Sequence, residues 1–397
     1  MIKYFSPEMV SDLLGVSLYT VKSWISKGKL TNSNGKGFSR EELATIPELS
    51  FLMDSKLTPH SKANTTLTSI ELFCGAGGMA IGLKQAGFKH VMVNEIDPAA
   101  SQTLKDNTPW NVLAKSIEEV DFTQYKGKIS LISGGVPCQP FSHNGKRLGF
   151  NDIRGTLFFE FARAISEVEP DAFIMENVKG LMSHDKGRTL ETIVDVLSDL
   201  GYEVQTPFLL NAFHYGIPQK RERLFIVGFK RDIKANFTIP RKDPDIMVVS
   251  DALKSGKLFD TDAPIAEGQQ YTKKVLDYYR LIPEGGNWRD LPEELKPAAM
   301  GAGLTSNGGC SGTYKRLAWD RPSPTLTCSP AQKQTGRCHP IEDRPLTVRE
   351  YARLQGFPDH WVFSGSRTAQ YKQIGNAVPP KLAQRVGESV MQSLSKA

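Results

Sequence analysis

Between about residues 68 and 230, short apolar runs alternate with stretches in which apolar side chains return every three or four positions. Residues 70–73, 91–94, 172–175 and 223–229 read as strands, and 129–132 is a further strand-like run. Residues 79–86 and 98–104 read as helices. In the helix expected over 154–167, Leu157, Phe158, Phe161, Ala162 and Ile165 share one face, and Leu190, Ile193, Val194 and Leu197 form another stripe. Strands and helices in alternation argue for an open parallel sheet with crossover helices. After about residue 230 the alternation stops, and Pro, Gly, Asp and Lys dominate to about 343. Helical spacing returns at 346–354 and at 380–394, where Leu382, Val386 and Val390 recur.

The chain ahead of the alternation forms a unit of its own. Ser6-Pro7-Glu8 reads as an N-cap with proline in the first turn, leading to Leu14 and a stop at Gly15. Ser17 caps a second helix with Val21, Trp24 and Ile25 inward and Tyr19, Thr20, Lys22 and Lys27 outward. This is the helix-turn-helix pattern, and with the glycine- and lysine-containing stretch that follows it resembles the winged variety of excisionase- and MerR-like regulators. The expected division is 1–56 for this DNA-binding extension, 57–68 for a linker, 69–230 for a catalytic and cofactor domain, 231–343 for a recognition domain, and 344–397 for a segment returning to the catalytic domain.

Composition narrows the class. With 397 residues, 40% apolar and 23% charged, the chain can bury two or three cores and fits no disordered class. It has no run of eighteen apolar residues and no leader-like start, so a cytoplasmic protein away from membranes is expected. Five cysteines, at 74, 138, 310, 328 and 338, argue for reduced thiols rather than a disulfide framework. Cys328, Cys338 and His339 lack metal-ligand spacing, so no metal site is expected. A net charge of +6 and a pI near 8.9 permit a polyanionic partner.

Two constellations carry chemistry. The turn Phe73-Cys74-Gly75-Ala76-Gly77-Gly78-Met79 joins a strand to a helix, where glycines let backbone approach a nucleotide-like ligand, and Glu95 ends the next strand, where an acid holds ribose hydroxyls. Alone, this pattern suits a nicotinamide dinucleotide as well as S-adenosylmethionine, or a purely structural turn. The second set is Pro137-Cys138-Gln139-Pro140, then Glu176-Asn177-Val178 at a strand end, then Gln219-Lys220-Arg221-Glu222-Arg223 opening a strand. A dehydrogenase has no use for it. C5 of cytosine is too weak a nucleophile to take a methyl group, but a Cys138 thiolate adding at C6 makes an enamine whose C5 is nucleophilic. Glu176 then holds and protonates N3, while Arg223, together with Arg221, binds O2, orients Glu176 and favours the thiolate.

With these motifs the chain resembles bacterial DNA (cytosine-5)-methyltransferases of the restriction-modification type over roughly residues 69–395. Further matches are Arg154-Gly155-Thr156-Leu157-Phe158-Phe159, the stretch from Arg344 to Glu350 running on to Gly356-Phe357-Pro358-Asp359, and the stretch from Gln373 to Pro380. The resemblance implies a doubly wound, mostly parallel, Rossmann-like α/β methyltransferase fold with a smaller loop-rich target-recognition domain. It implies S-adenosylmethionine held by Phe73, Gly75, Ala76, Gly77 and Gly78, with Glu95 on its ribose and Ile96 on its adenine. Ile117, Pro137, Leu157, Asn376 and Val378 complete that pocket. The partner is double-stranded DNA, from which the cytosine must be flipped out to be reached. The loop at 139–151, with Ser142, Lys146 and Arg147, is expected to close over DNA. Arg289 and Arg316 are candidate base or phosphate contacts in the recognition segment, and Tyr19, Thr20 and Lys22 are DNA contacts of the extension. The expected catalytic form is a monomer, or a dimer where the extension binds promoter DNA and autoregulates. RNA cytosine methylation and a regulator with a non-catalytic methyltransferase domain are the alternatives.

Overall fold

The computed structural model describes residues 2–31, 37–55, 67–137, 156–305 and 312–395. The chain divides into two compact units, each assembled from separate stretches: Met1–Pro59, Ala212–Arg221 and Arg241–Asp359 form one, and His60–Asn211, Glu222–Pro240 and His360–Ala397 the other.

The second unit is built on an eight-stranded sheet: β1 Thr68–Leu72, β2 Lys89–Asn94, β3 Val112–Leu113, β4 Leu131–Gly135, β5 Ala172–Val178, β6 Tyr202–Val204, β7 Phe208–Asn211 and β8 Glu222–Lys230. Its order is β3-β2-β1-β4-β5-β8-β6, with β7 also on β8. The first five strands in that order are mutually parallel, as the alternating pattern implies. β8 departs from it and runs antiparallel to β5, β6 and β7. From β1 the chain winds first to β2 and β3, then back across to β4 and β5. The crevice beyond the carboxyl ends of β1 and β4 is thus the switch point where open α/β sheets take ligands.

Helices Gly78–Ala86, Pro98–Asn107, Leu157–Val168, Arg188–Asp199, Arg367–Asn376 and Pro380–Ser395 belong to this unit. The apolar face read in 157–168 is buried as Phe158, Phe161, Ala162 and Ile165, packed with Ile70, Leu72, Ile132, Phe173 and Leu224. Gly82 and Gly387 allow Gly78–Ala86 and Pro380–Ser395 to approach closely: a Cβ at Gly82 would stand 2.2 Å from the Pro380 carbonyl oxygen, and one at Gly387 2.9 Å from Leu83 Cδ2.

In the other unit, helices Pro7–Leu14 and Leu18–Ser26 are separated by Gly15 in the left-handed region (φ 66°), and strands Tyr4–Phe5 and Phe38–Ser39 pair antiparallel. Both helices carry the expected serine caps, from Ser6 and Ser17. Their core does not close on itself. Phe5, Met9, Val10, Leu13, Val21, Phe38 and Leu52 pack with Phe213, Ile246 and Val248 from far along the chain. Arg40 bonds the carbonyls of Ile2, Leu52 and Pro244. The helix Val348–Gln355, expected in the returning segment, belongs instead to this unit, and the return begins at His360. Here Arg353 is fully buried, bonding Ala252 O, Thr261 O and Asp359.

Candidate active site

A cavity of about 480 Å³ opens at the switch point, a size suited to a small-molecule ligand. It is lined by the residues that follow β1 (Phe73, Cys74, Gly75), β2 (Glu95, Ile96, Asp97), β4 (Val136, Pro137) and β5 (Val178). The turn after β1 is tight. Phe73 takes a positive φ of 54° and Gly75 one of 56°, the left-handed region that is uncommon for a bulky side chain and turns up at ligand sites. A Cβ at Gly75 would meet no atom within 4 Å, so its absence widens the cavity.

Glu95 is tied into this turn. Its Oε2 accepts from the Gly75 N–H at 2.7 Å and its Oε1 from the Asp97 N–H at 2.7 Å. Burial pushes its carboxyl above the ordinary range, against the pull of those N–H donors. The oxygens keep acceptor capacity for hydroxyl groups. Ile96 is exposed on the cavity side, and Ile117, Pro137, Leu157, Asn376 and Val378 also line the cavity. Of the expected cofactor residues, Ala76, Gly77 and Gly78 do not line it. Gly77 and Gly78 serve close packing instead: an added Cβ would lie 2.8 Å from Leu104 Cδ2 at Gly77 and 2.2 Å from the Val378 carbonyl oxygen at Gly78.

Also among the cavity residues, Arg223 Nε donates to Glu176 Oε1 at 2.8 Å, and both side chains are about nine-tenths buried. The antiparallel direction of β8 makes this pair. Arg223 stands opposite Val178 and Phe225 opposite Glu176, so Arg223 and Glu176 are diagonal neighbours across two strands. In a parallel β8, its first residues would sit at the far end of the sheet. Asn177 Nδ2 donates to the Val136 carbonyl at 2.8 Å and fixes the chain just ahead of Pro137.

The structure separates the expected arginines. Arg221 is buried, donates to the Leu326 carbonyl at 3.0 Å, and is not among the cavity residues. Arg316 is only 3% exposed, and its guanidinium bonds the carbonyls of Tyr279, Ile282, His339 and Glu342 and the Asp343 carboxylate. Its guanidinium is thus engaged with interior partners, unlike the exposed position expected of a DNA contact. Arg289 is exposed and stacks on the ring of Trp288 at 4.9 Å. Tyr19 and Lys22 are exposed, and the Thr20 hydroxyl shares a hydrogen bond with Ser17. Cys138, Ser142, Lys146 and Arg147 lie outside the described residues.

Several cavity residues were not anticipated. Glu71, one residue before the end of β1, is buried in the cavity wall, and burial raises its carboxyl to about 8. Lys372 and Asp97 form a 3.1 Å ion pair among the cavity residues. The strand pattern around 70–73 held the signal for Glu71, since an acid inside a buried parallel strand breaks an otherwise apolar run. Lys372 has no such signal.

The cavity fits S-adenosylmethionine: its volume is adequate, Gly75 leaves open space where a side chain would intrude, Glu95 offers acceptors, and Phe73, Ile96, Pro137 and Leu157 offer apolar walls. Comparison with known proteins agrees. Residues 67–392 match the family model of C-5 cytosine-specific DNA methylases. The chain is 49% identical to the type II methyltransferase M.Eco47II of Escherichia coli over 99% of its own length and 96% of the relative's. It is 47% identical to M.PspPI of Psychrobacter sp. (strain TA137), covering 99% and 97%. Among solved structures, a prophage-encoded DNA modification methyltransferase from E. coli shares the fold with a TM-score of 0.63 at 24% identity, over 83% of this chain and 99% of that one. The chain belongs to the C-5 cytosine-specific DNA methylase family, enzymes that methylate cytosine in DNA with S-adenosylmethionine as donor.

Proposed function

We propose that the enzyme methylates a flipped-out cytosine within one short duplex sequence, through a covalent bond between Cys138 and C6, and so protects DNA from a partner endonuclease. The observation that carries this reading is the buried Glu176–Arg223 pair at 2.8 Å, in the same cavity as the cofactor residues. Phe73, Gly75, Glu95, Ile96, Ile117, Leu157, Asn376 and Val378 hold S-adenosylmethionine, which supplies an electrophilic methyl group when bound. Pro137 lines the cavity, and Cys138 follows it in the chain. The Cys138 thiolate forms a bond to C6, and the electron pair released from the C5–C6 double bond moves towards N3, where Glu176 delivers a proton. Arg223 keeps Glu176 aimed and binds O2. After C5 has taken the methyl group, its proton passes to solvent as the thiolate is expelled and the C5–C6 double bond re-forms, and N3 returns its proton to Glu176, which restores both the aromatic ring and the acid. The Glu176–Arg223 pair and the cavity residues lie within one compact unit of the chain, consistent with a catalytic form that acts on DNA as a monomer.

The N-terminal helices share their core with the recognition segment. This favours a part in the enzyme's own DNA contacts, through Tyr19, Thr20 and Lys22, over a separable promoter-binding module. Bisulfite sequencing of plasmid from a methylation-free host expressing the chain tests the main reading: protected cytosines in one sequence context are expected, and none at all would overturn it. Cys138→Ser should abolish transfer of tritiated methyl groups while leaving cofactor binding in place.

A further inference from the structure

Asp12, on the first N-terminal helix, is the buried carboxylate of a charged cluster that the catalytic reading leaves unused. Its Oδ1 accepts from Lys220 Nζ at 2.7 Å, and its Oδ2 accepts from Arg321 Nε and Nη2 at 3.0 and 2.9 Å. The Asp12 side chain is 5% exposed, whereas those of Lys220 and Arg321 keep 33% and 27%. All three lie in the same compact unit. The main chain around them is equally pinned. Lys220 N–H donates to the Ser323 carbonyl at 2.8 Å, and the Thr325 hydroxyl donates to the Lys220 carbonyl at 2.7 Å.

Charge in the cluster does not balance. One carboxylate faces two cations, and a third, Lys315, stands close enough that Arg321 and Lys220 add to burial in pushing its ammonium down to about 8, with Asp12 opposing. Lys220 has three N–H donors and Arg321 five, of which Asp12 takes one and two. Lys220 and Arg321, held side by side with donors to spare and partly exposed to solvent, match a phosphate group. Lys220 is also three residues ahead of Arg223 in the chain.

We propose that Asp12 is a positioning residue for DNA binding, holding Lys220 and Arg321 side by side so that the pair takes one phosphate of the duplex. The proposal rests on the enzyme acting on duplex DNA. Asp12 lies outside the residues 67–392 that match the family model, so this support is an addition to the family's shared machinery. It gives the N-terminal segment a task in the enzyme's own chemistry.

The test measures binding of full-length wild type, Asp12→Asn, Lys220→Gln and Arg321→Gln to two labelled duplexes, one carrying the methylated sequence and one unrelated, over a range of salt. A lost phosphate contact weakens both duplexes about equally, roughly five- to tenfold at low salt, and lowers the slope of log affinity against log salt by about 1. Lys220→Gln and Arg321→Gln combined should lose less than the sum of their separate effects, because both hold one phosphate. A merely structural Asp12 would lower the melting temperature and leave the salt slope alone. Unchanged slopes in the Arg321 and Lys220 variants, or a loss confined to the methylated sequence, would overturn the proposal. So would a normal slope in Asp12→Asn. Should Asp12→Asn fail to fold, additive losses in the Lys220 and Arg321 pair would decide against it. Bisulfite protection by wild type is scored separately, so failure of the methyltransferase reading is distinguishable from failure of the phosphate site.

Discussion

Glu71 and Glu95 sit in one cavity wall and differ in what they can do. Glu95 has two backbone N–H donors at 2.7 Å, so Glu95→Ala removes a hydroxyl acceptor and also releases the turn at Gly75. Calorimetric titration should find affinity for S-adenosylmethionine lowered about ten- to hundredfold, the range for a hydrogen bond to a charged group. Glu71 is an acid held protonated by burial, with a folded value of about 8 against an ordinary 4.5. Between those values the unfolded chain has released the proton that the folded chain keeps, so this group's contribution to stability falls as pH rises through the window. His90 runs the other way. Burial pushes it down to about 4, so its contribution is lost as pH falls below about 6.5. Thermal melts of Glu71→Gln from about pH 5 to 8 should therefore show a shallower decline with pH than wild type. An equal slope would mean that Glu71 is ionised in the folded state.

Among elements, the contact of Gly78–Ala86 with Pro380–Ser395 has the least room. A Cβ on Gly82 would meet backbone atoms at 2.2 and 2.6 Å, which no rotamer change can relieve. Gly82→Ala should cost about 3 kcal/mol, read as a clear fall in melting temperature, and a neutral result would mean that the two helices can part without penalty. The same scale marks what sequence could tell. The alternation of period 2 and period 3.6 placed β1, β2, β5 and their helices to within a few residues, because burial writes itself into those periods. It carries nothing about strand direction, so the antiparallel β8 was invisible, and with it the reason that Arg223 rather than Arg221 meets Glu176. Direction is decided by the path of the chain between strands, here the excursion through 212–221. Arg316 and Arg321 look alike in a loop-rich sequence. Only packing separates the one spent on interior carbonyls from the one held at the surface by Asp12.

For the whole molecule, the consequence is that the first 55 residues cannot be an optional appendage. Removing them would expose Phe213, Ile246 and Val248 and leave Lys220 and Arg321 without their carboxylate. A chain beginning at about residue 57 should be recovered mainly in the insoluble fraction, or lose the 241–359 segment to limited proteolysis within minutes. A soluble, protease-resistant truncation with full activity would show that the segment is dispensable. The buried Arg40 bond to the Pro244 carbonyl argues in the same direction.

The shared core of Phe5, Met9 and Val10 with Phe213, Ile246 and Val248 also sets a timetable. A ribosome adds about 5–20 residues per second, so the N-terminal helices leave it on the order of 10–40 s before their last partners are made. For that interval an apolar face meant for the interior is open to whatever passes, and the newborn chain becomes a natural client for holding chaperones. Slowing synthesis should then lower the yield of active enzyme rather than raise it, the reverse of what a protein folding unit by unit from its first residue would do.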